Sequence, residues 1–356
     1  MKYLFILGRN IELSIAEVLS FLQRTENPAR RYVLNKNAIL VDVDKHLDKN
    51  AIDRLGGVIA IGGVVDFKKE LLYSGTKNKM NYVIWNFSKD IDAFANEIKD
   101  KFREERLKAT RKPLTGNIES QDGKIFRTLH SKLIDEQYFV FNEHIGRITQ
   151  NCDYEELEKR DMEKPVRRES LSISPRLAKI MINLSRLRYG KLVDPFCGIG
   201  VILYEALLQG LSVTGVDIDE TALDGAKKNL EWGKFPEDKY KLIRADSKVV
   251  GIKSGDVIVT EPNLGTILKK MPTEEEAEII LIKFEKLIVS VLNNLKKEVH
   301  GRIVFTAPYI KTRLGRKSCN IEEISFRTGL KLVEGSFPEY REDQVMGREI
   351  FVLGGL

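Results

Sequence analysis

The sequence is short of cysteine and lacks any long apolar run. Only Cys152, Cys197 and Cys319 occur in 356 residues. They are far apart and odd in number, which argues against a disulfide framework and a structural zinc site and for a reducing cytosol. No stretch reaches the roughly 18 consecutive apolar residues that a membrane-spanning helix needs. Residues Met1 to Gly8 have a short apolar core but no small-residue cleavage site, and a helical pattern follows at once. They read as a strand, not a signal peptide, and a cytoplasmic protein is expected. Charge of one sign is also scarce: 58 Lys and Arg stand against 52 Asp and Glu, a formal net charge of +6. That balance suits a polyanionic partner without naming one. The length allows two domains.

The first part of the chain alternates helix and strand patterns. Met1 to Leu7 reads as a strand and Glu12 to Leu22 as an amphipathic helix. A hairpin is expected around Asn35-Lys36-Asn37, and a glycine-rich apolar strand over Gly57 to Val65. This pattern suggests a ferredoxin-like layer. A second module is expected from about Asn81, with a strand at Tyr82–Asn86, a helix over Ile91–Leu107, and strands at Lys124–His130, Gln137–Phe141 and Arg147–Thr149. Its helix end is basic, with Lys101, Arg103, Arg106, Lys108, Arg111 and Lys112. Such a run is either a solvated face or a phosphate-binding surface. Residues 159–170 are polar and charged and read as a linker between an N-terminal region, 1–158, and a C-terminal domain, 171–356. Ser174 and Pro175 suit the start of a helix there.

In the C-terminal domain, strands are predicted at Lys191–Val193, Val213–Asp217, Tyr240–Arg244, Val257–Thr260, Arg302–Ala307, Lys331–Glu334 and Glu349–Leu353. Helical patterns lie between the early ones. That alternation is the signature of a seven-stranded, doubly wound α/β sheet. The stretch Asp194-Pro195-Phe196-Cys197-Gly198-Ile199-Gly200 sits on the first strand-to-helix turn. Glycine there lets the backbone bend and a ligand approach. Asp217 ends the second strand, where a carboxylate accepts ribose hydroxyls. Asp246, after the third, is either an acceptor for an adenine amine or a helix cap. After the fourth comes Glu261-Pro262-Asn263-Leu264.

Asp-Pro-Phe-Cys-Gly-x-Gly resembles motif I of the S-adenosylmethionine-dependent amino-methyltransferases of RNA and DNA. The order of elements before it looks like a THUMP domain, an RNA-binding module. Together the chain is similar to the family of tRNA guanine 2-amino methyltransferases that modify the guanine at position ten. The resemblance implies a Rossmann-like class I methyltransferase domain, S-adenosylmethionine as donor and tRNA as substrate. It assigns Asp194, Phe196, Gly198, Gly200, Asp217 and Asp246 to the cofactor. Glu261, Pro262 and Asn263 stand at the position of the catalytic motif, which in the family is Asp or Asn, then Pro-Pro, then an aromatic residue. This chain departs from it in three places, and Tyr309 or Phe196 is a candidate for the missing ring. Arg106, Arg111 and Arg168 are candidate RNA contacts. In part of the family a small zinc-binding activator protein is a partner. Two other readings stay open: an RNA-binding relative that has lost its chemistry, and a methyltransferase for the 4-amino group of cytosine or the 6-amino group of adenine in ribosomal RNA or DNA.

Overall fold

The computed structural model describes residues 1–66, 73, 75–89, 91–129, 133–168, 173–265, 268 and 270–355. His130, Leu171 and Ser172, which fall in expected elements or boundaries, lie outside these. The chain divides into two compact units, Met1–Asp153 and Tyr154–Leu356.

The first unit contains β1 (Lys2–Leu7), α1 (Ile11–Arg24), β2 (Arg31–Asn35), β3 (Ala38–Asp42), β4 (Val58–Val64), β5 (Lys79–Phe87), α2 (Ile91–Glu104), β6 (Lys108–Arg111), β7 (Gly116–Glu119), β8 (Ile125–Thr128), β9 (Glu136–Phe141) and β10 (His144–Asn151). The two expected modules are not separate layers. Their strands form one eight-stranded sheet in the order β2-β3-β1-β4-β10-β9-β5-β6, with β7 and β8 pairing apart from it. Alternation sends side chains to two faces. On one, α1 covers Phe5, Leu7, Ile39 and Val41, and α2 covers Tyr82, Ile84, Tyr138 and Val140. On the other, Leu4, Ile6, Trp85, Phe87, Phe139 and Phe141 pack with Leu114, Ile118 and Leu129. The helix α2 ends at Glu104, earlier than its pattern suggests, because Arg106 takes a left-handed conformation and the chain turns into β6.

The join between the modules is the antiparallel pairing of β4 with β10. Glycine makes it possible. A Cβ on Gly146 would lie 2.1 Å from the Phe139 ring and 2.3 Å from the Gly63 carbonyl oxygen, and one on Gly62 would meet the same ring and the Arg147 carbonyl at 2.7 Å. The buried ring of Phe139 therefore lies across backbone that has no side chains to lift it.

The second unit contains α3 (Tyr154–Met162), α4 (Pro175–Leu184), β11 (Lys191–Asp194), α5 (Val201–Leu208), β12 (Ser212–Asp217), α6 (Glu220–Trp232), β13 (Tyr240–Arg244), β14 (Val257–Thr260), α7 (Glu274–Leu295), β15 (Ile303–Thr312), β16 (Gly315–Ser318), α8 (Ile321–Thr328), β17 (Lys331–Glu339) and β18 (Met346–Gly354). The strands run in the order β13-β12-β11-β14-β15-β18-β17, with β16 added on β15. The first five are parallel and β18 is antiparallel to both its neighbours. This is the class I methyltransferase-like α/β arrangement, with eight strands where seven were expected. The extra strand arises because β15 continues past Ala307 through Pro308 to Thr312 and folds back as β16. Pro308 and Lys311 interrupt the apolar pattern there, which hides the extension in the sequence.

The division falls at Asp153, and residues 154–162 form a helix rather than a free connection. Arg160 donates to the buried Glu205 of α5 at 3.2 Å, and Val166 exchanges two backbone hydrogen bonds with the side chain of Asn229 in α6. A run of mixed charge reads as solvated until a buried partner for one of those charges is seen.

The seam gives a direct test. Gly146→Ala should destabilise the chain by about 1–3 kcal/mol through overpacking. Ala at the open Gly123, whose φ is +80°, carries strain but no clash. A denaturation midpoint for Gly146→Ala equal to wild type would show that the seam yields.

Candidate functional site

The site is built on the carboxyl ends of β11, β12 and β14, which lie side by side in the sheet. Ligands in open α/β sheets sit in that crevice. Asp194, the last residue of β11, is buried. Its Oδ1 accepts the Thr260 hydroxyl from β14 at 2.6 Å and the Phe196 amide at 3.1 Å. Burial, helped by the charges of Asp217 and Glu261, pushes its carboxyl up to about 7 against the two hydrogen bonds.

The turn after Asp194 is held from β12. Asp217 accepts the Gly198 amide at 2.9 Å on one oxygen and the Asp219 amide at 2.9 Å on the other. Gly198 and Gly200 both have positive φ, +51° and +83°, a region that favours glycine. A Cβ on Gly198 would meet nothing within 4 Å, so the backbone there faces open space. Gly200 caps α5. Its neighbour Ile199 gives its carbonyl to Asn229 at 3.0 Å. Sequence reasoning missed Asn229; a polar residue in line with Ala222 and Ala226 on the buried face of α6 was the available signal. It also missed Ile218 and Val249, apolar side chains 68% and 77% exposed beside Asp217 and Asp246.

The other expected residues fall into two groups. Phe196 packs at the edge of the core under α7. Glu261 leaves β14 with its side chain 10% exposed and paired to Arg348 of β18. Pro262 is buried beside it. Asp246, by contrast, accepts the Lys248 amide at 3.0 Å and pairs with its ammonium at 3.2 Å, which together hold its carboxyl below the usual range. Asn263 uses its side-chain oxygen to close its own turn on the Gly265 amide. Arg168 is paired with Asp219 at 2.7 Å. Tyr309 packs against Tyr340 with ring centroids 5.5 Å apart and planes tilted by 47°, under the guanidinium of Arg316. Pro308 lies opposite Arg348 and Tyr309 opposite Gly347. Alternation therefore sends Tyr309 and Arg348 to opposite faces, and Tyr309 does not face Glu261.

Among the described residues, no group of three His, Cys, Asp or Glu is placed to hold a metal ion. The strand ends carry the acids Asp194, Asp217 and Glu261 and an open glycine turn, with Ile218 and Val249 exposed on the segments that follow β12 and β13. A cation that also carries vicinal hydroxyls and a flat ring fits that set, and S-adenosylmethionine is such a molecule.

The sequence profile of the UPF0020 family, described as an RMKL-like methyltransferase domain, matches residues 165–308. The chain is 34% identical over 140 residues to the tRNA (guanine(10)-N2)-dimethyltransferase of Methanothermobacter thermautotrophicus, a match covering 39% of each. It is 34% identical over 120 residues to a probable tRNA (guanine(10)-N2)-dimethyltransferase of Methanothermococcus thermolithotrophicus, covering 27% of this chain and 74% of that relative. The chain belongs to this family. The match spans about two-fifths of the length of the Methanothermobacter relative. Across the whole chain the fold is similar to that of TrmN from Thermus thermophilus, with a TM-score of 0.50, 14% identity and full coverage of both chains.

The proton on Asp194 links stability to pH. Its folded value, about 7, lies above the ordinary 3.8. The folded chain thus holds a proton that the unfolded chain releases, and the stabilisation present below pH 4 is lost as pH rises through about 7. Asp194→Asn should therefore gain melting temperature relative to wild type between pH 5 and 8. Parallel melting curves across that range would show that Asp194 does not titrate there.

Proposed function

We propose that this chain is an S-adenosylmethionine-dependent tRNA methyltransferase acting on the 2-amino group of guanine. The carrying observation is that Glu261-Pro262 stands on the strand end next to the glycine turn, in a family whose named relatives modify guanine 10. The bound cofactor supplies a methyl group already activated on a sulfonium. Asp217 has lone pairs left beyond its two backbone bonds and takes the ribose hydroxyls. Ile218 and Val249 flank the adenine. Glu261 and the Pro262 carbonyl accept the two hydrogens of a flipped base's amine, which turns its lone pair outward. The carboxylate also offsets the positive charge that develops on the attacking nitrogen. Asp246 is the weakest of the proposed contacts, since Lys248 already holds it.

The first unit supplies the RNA-binding surface in this reading, in the role of a THUMP region. A cavity of about 870 Å³ there is lined by Lys36, Arg111, Lys112, Lys124 and Arg127 together with Trp85, Phe87 and Phe126. The exposed cations suit phosphates, and Phe126, half-buried where Trp85 and Phe87 are buried, suits an unstacked base. Arg106 is exposed but does not line this cavity.

Three measurements test the proposal. Asp217→Ala should weaken S-adenosylmethionine binding by about 1–3 kcal/mol in calorimetry; an unchanged affinity removes Asp217 from the site. Arg111→Glu with Lys112→Glu should weaken tRNA binding and flatten its salt dependence while sparing the cofactor; a salt-independent wild-type affinity would contradict the surface. In single-turnover methyl transfer on unmodified tRNA, Glu261→Gln should be slow and Glu261→Ala nearly inactive, with cofactor affinity little changed. Nucleoside analysis should find N2-methylated and dimethylated guanine. Assaying the purified chain alone and with a zinc-binding activator decides whether one is needed. A methyl group on a ring carbon or ribose would sink the amine reading.

A further inference from the structure

Glu261 presents a problem that the loop around it does not solve. A nearly buried carboxylate is costly without a counter-charge. It also has three side-chain torsions, and a base amine needs an acceptor at one fixed place. Asn263 turns its side-chain oxygen onto the Gly265 amide and Leu264 is apolar, while the donors that reach the Glu261 carboxylate come from Arg348. The Glu261 charge already bears on the buried Asp194 beside it.

We infer that Arg348, on β18, is the positioning residue that fixes the Glu261 carboxylate for the reaction. This rests on the reading that Glu261 receives the amine. Two strands, β14 and β18, flank β15 on opposite sides. The guanidinium therefore reaches across β15, from the position opposite Pro308, to a residue 87 places away in sequence. Its Nε donates to Oε1 in a charge-assisted hydrogen bond. Its Nη2 lies 3.5 Å from Oε2, at the limit of hydrogen bonding. One oxygen is thus gripped and the other only steadied. A carboxylate oxygen has two lone pairs, so Oε2 keeps acceptor capacity for an incoming N–H. Arg348 is 30% exposed against 10% for Glu261, so the arginine lies on the more open side of the pair. The grip on the catalytic acid comes from a far strand rather than from the loop that carries the acid. That arrangement accounts for a turn that lacks the family's second proline and aromatic ring yet still presents a held acceptor.

The test is a set of variants in single-turnover methyl transfer at saturating cofactor and tRNA, with KM, cofactor affinity and melting temperature measured beside it. Arg348→Met should lower the maximal rate by about tenfold or more, with tRNA KM and cofactor affinity within about twofold. Arg348→Lys should restore part of the rate, since an ammonium can hold Oε1 but cannot form the fork. In a Glu261→Gln background the same Arg348→Met change should cost about twofold or less, because its partner is already altered. Should Arg348→Met not fold, Arg348→Lys carries the comparison in both backgrounds. A full rate in Arg348→Met, an equal loss in both backgrounds, or a loss confined to KM or cofactor affinity would overturn the role of Arg348. If Glu261→Ala itself is fully active, the reading of Glu261 falls instead, and the two failures are told apart by that variant alone.

Discussion

The bond between the Asp194 carboxyl and the Thr260 hydroxyl is the constraint on which the second unit's working edge depends. It ties the ends of the two central strands together at 2.6 Å, and the same carboxyl oxygen fixes the Phe196 amide at the start of the glycine turn. Asp217 then holds the other side of that turn through the Gly198 amide. The Ser247 hydroxyl, on the loop after β13, donates to the Pro195 carbonyl. Four strand ends are thereby locked to one loop of a few residues. A polar group buried this deeply persists only when its partners are complete, so the loop has little freedom to move without breaking several bonds at once.

The second unit was legible where the structure is local. A strand, a glycine turn, a helix and an acid at the next strand end leave a sequence mark because each is dictated by nearby backbone geometry. The motif therefore gave the position of Asp194, Gly198, Gly200 and Asp217. Asp246 and Asn263 show the limit of that local reading. Short polar side chains close turns on backbone amides two residues on, and the sequence does not say whether a given one is spent that way. Arg348 left no signal at all. Its role depends on β18 lying beside β15, and nothing in Gly347-Arg348-Glu349 distinguishes it from a solvated strand cation.

The first unit shows the converse. Its strands were nearly all visible from apolar patterning, but their assembly was not. The reading as two modules failed at β4 and β10, where Gly62 and Gly146 remove the side chains that would keep two sheets apart. Strand pairing over so many residues of chain is decided by which backbones can approach, and the bare glycines were the only trace of that.

Charge at the working edge follows from these pairings rather than from residue counts. Five acids gather there: Asp194, Asp217, Asp219, Asp246 and Glu261. Arg168 offsets Asp219, Lys248 offsets Asp246 and Arg348 offsets Glu261. Asp194 is held near neutrality by burial, and Asp217 is met by backbone amides. The residual negative potential thus centres on Asp217, which holds the Gly198 amide of the open glycine turn. A cation arriving there favours the ionised form of Asp194, so binding and release of that proton are coupled through one field. Burial thus raises the proton affinity of Asp194 in the empty site, and an arriving positive charge opposes that rise.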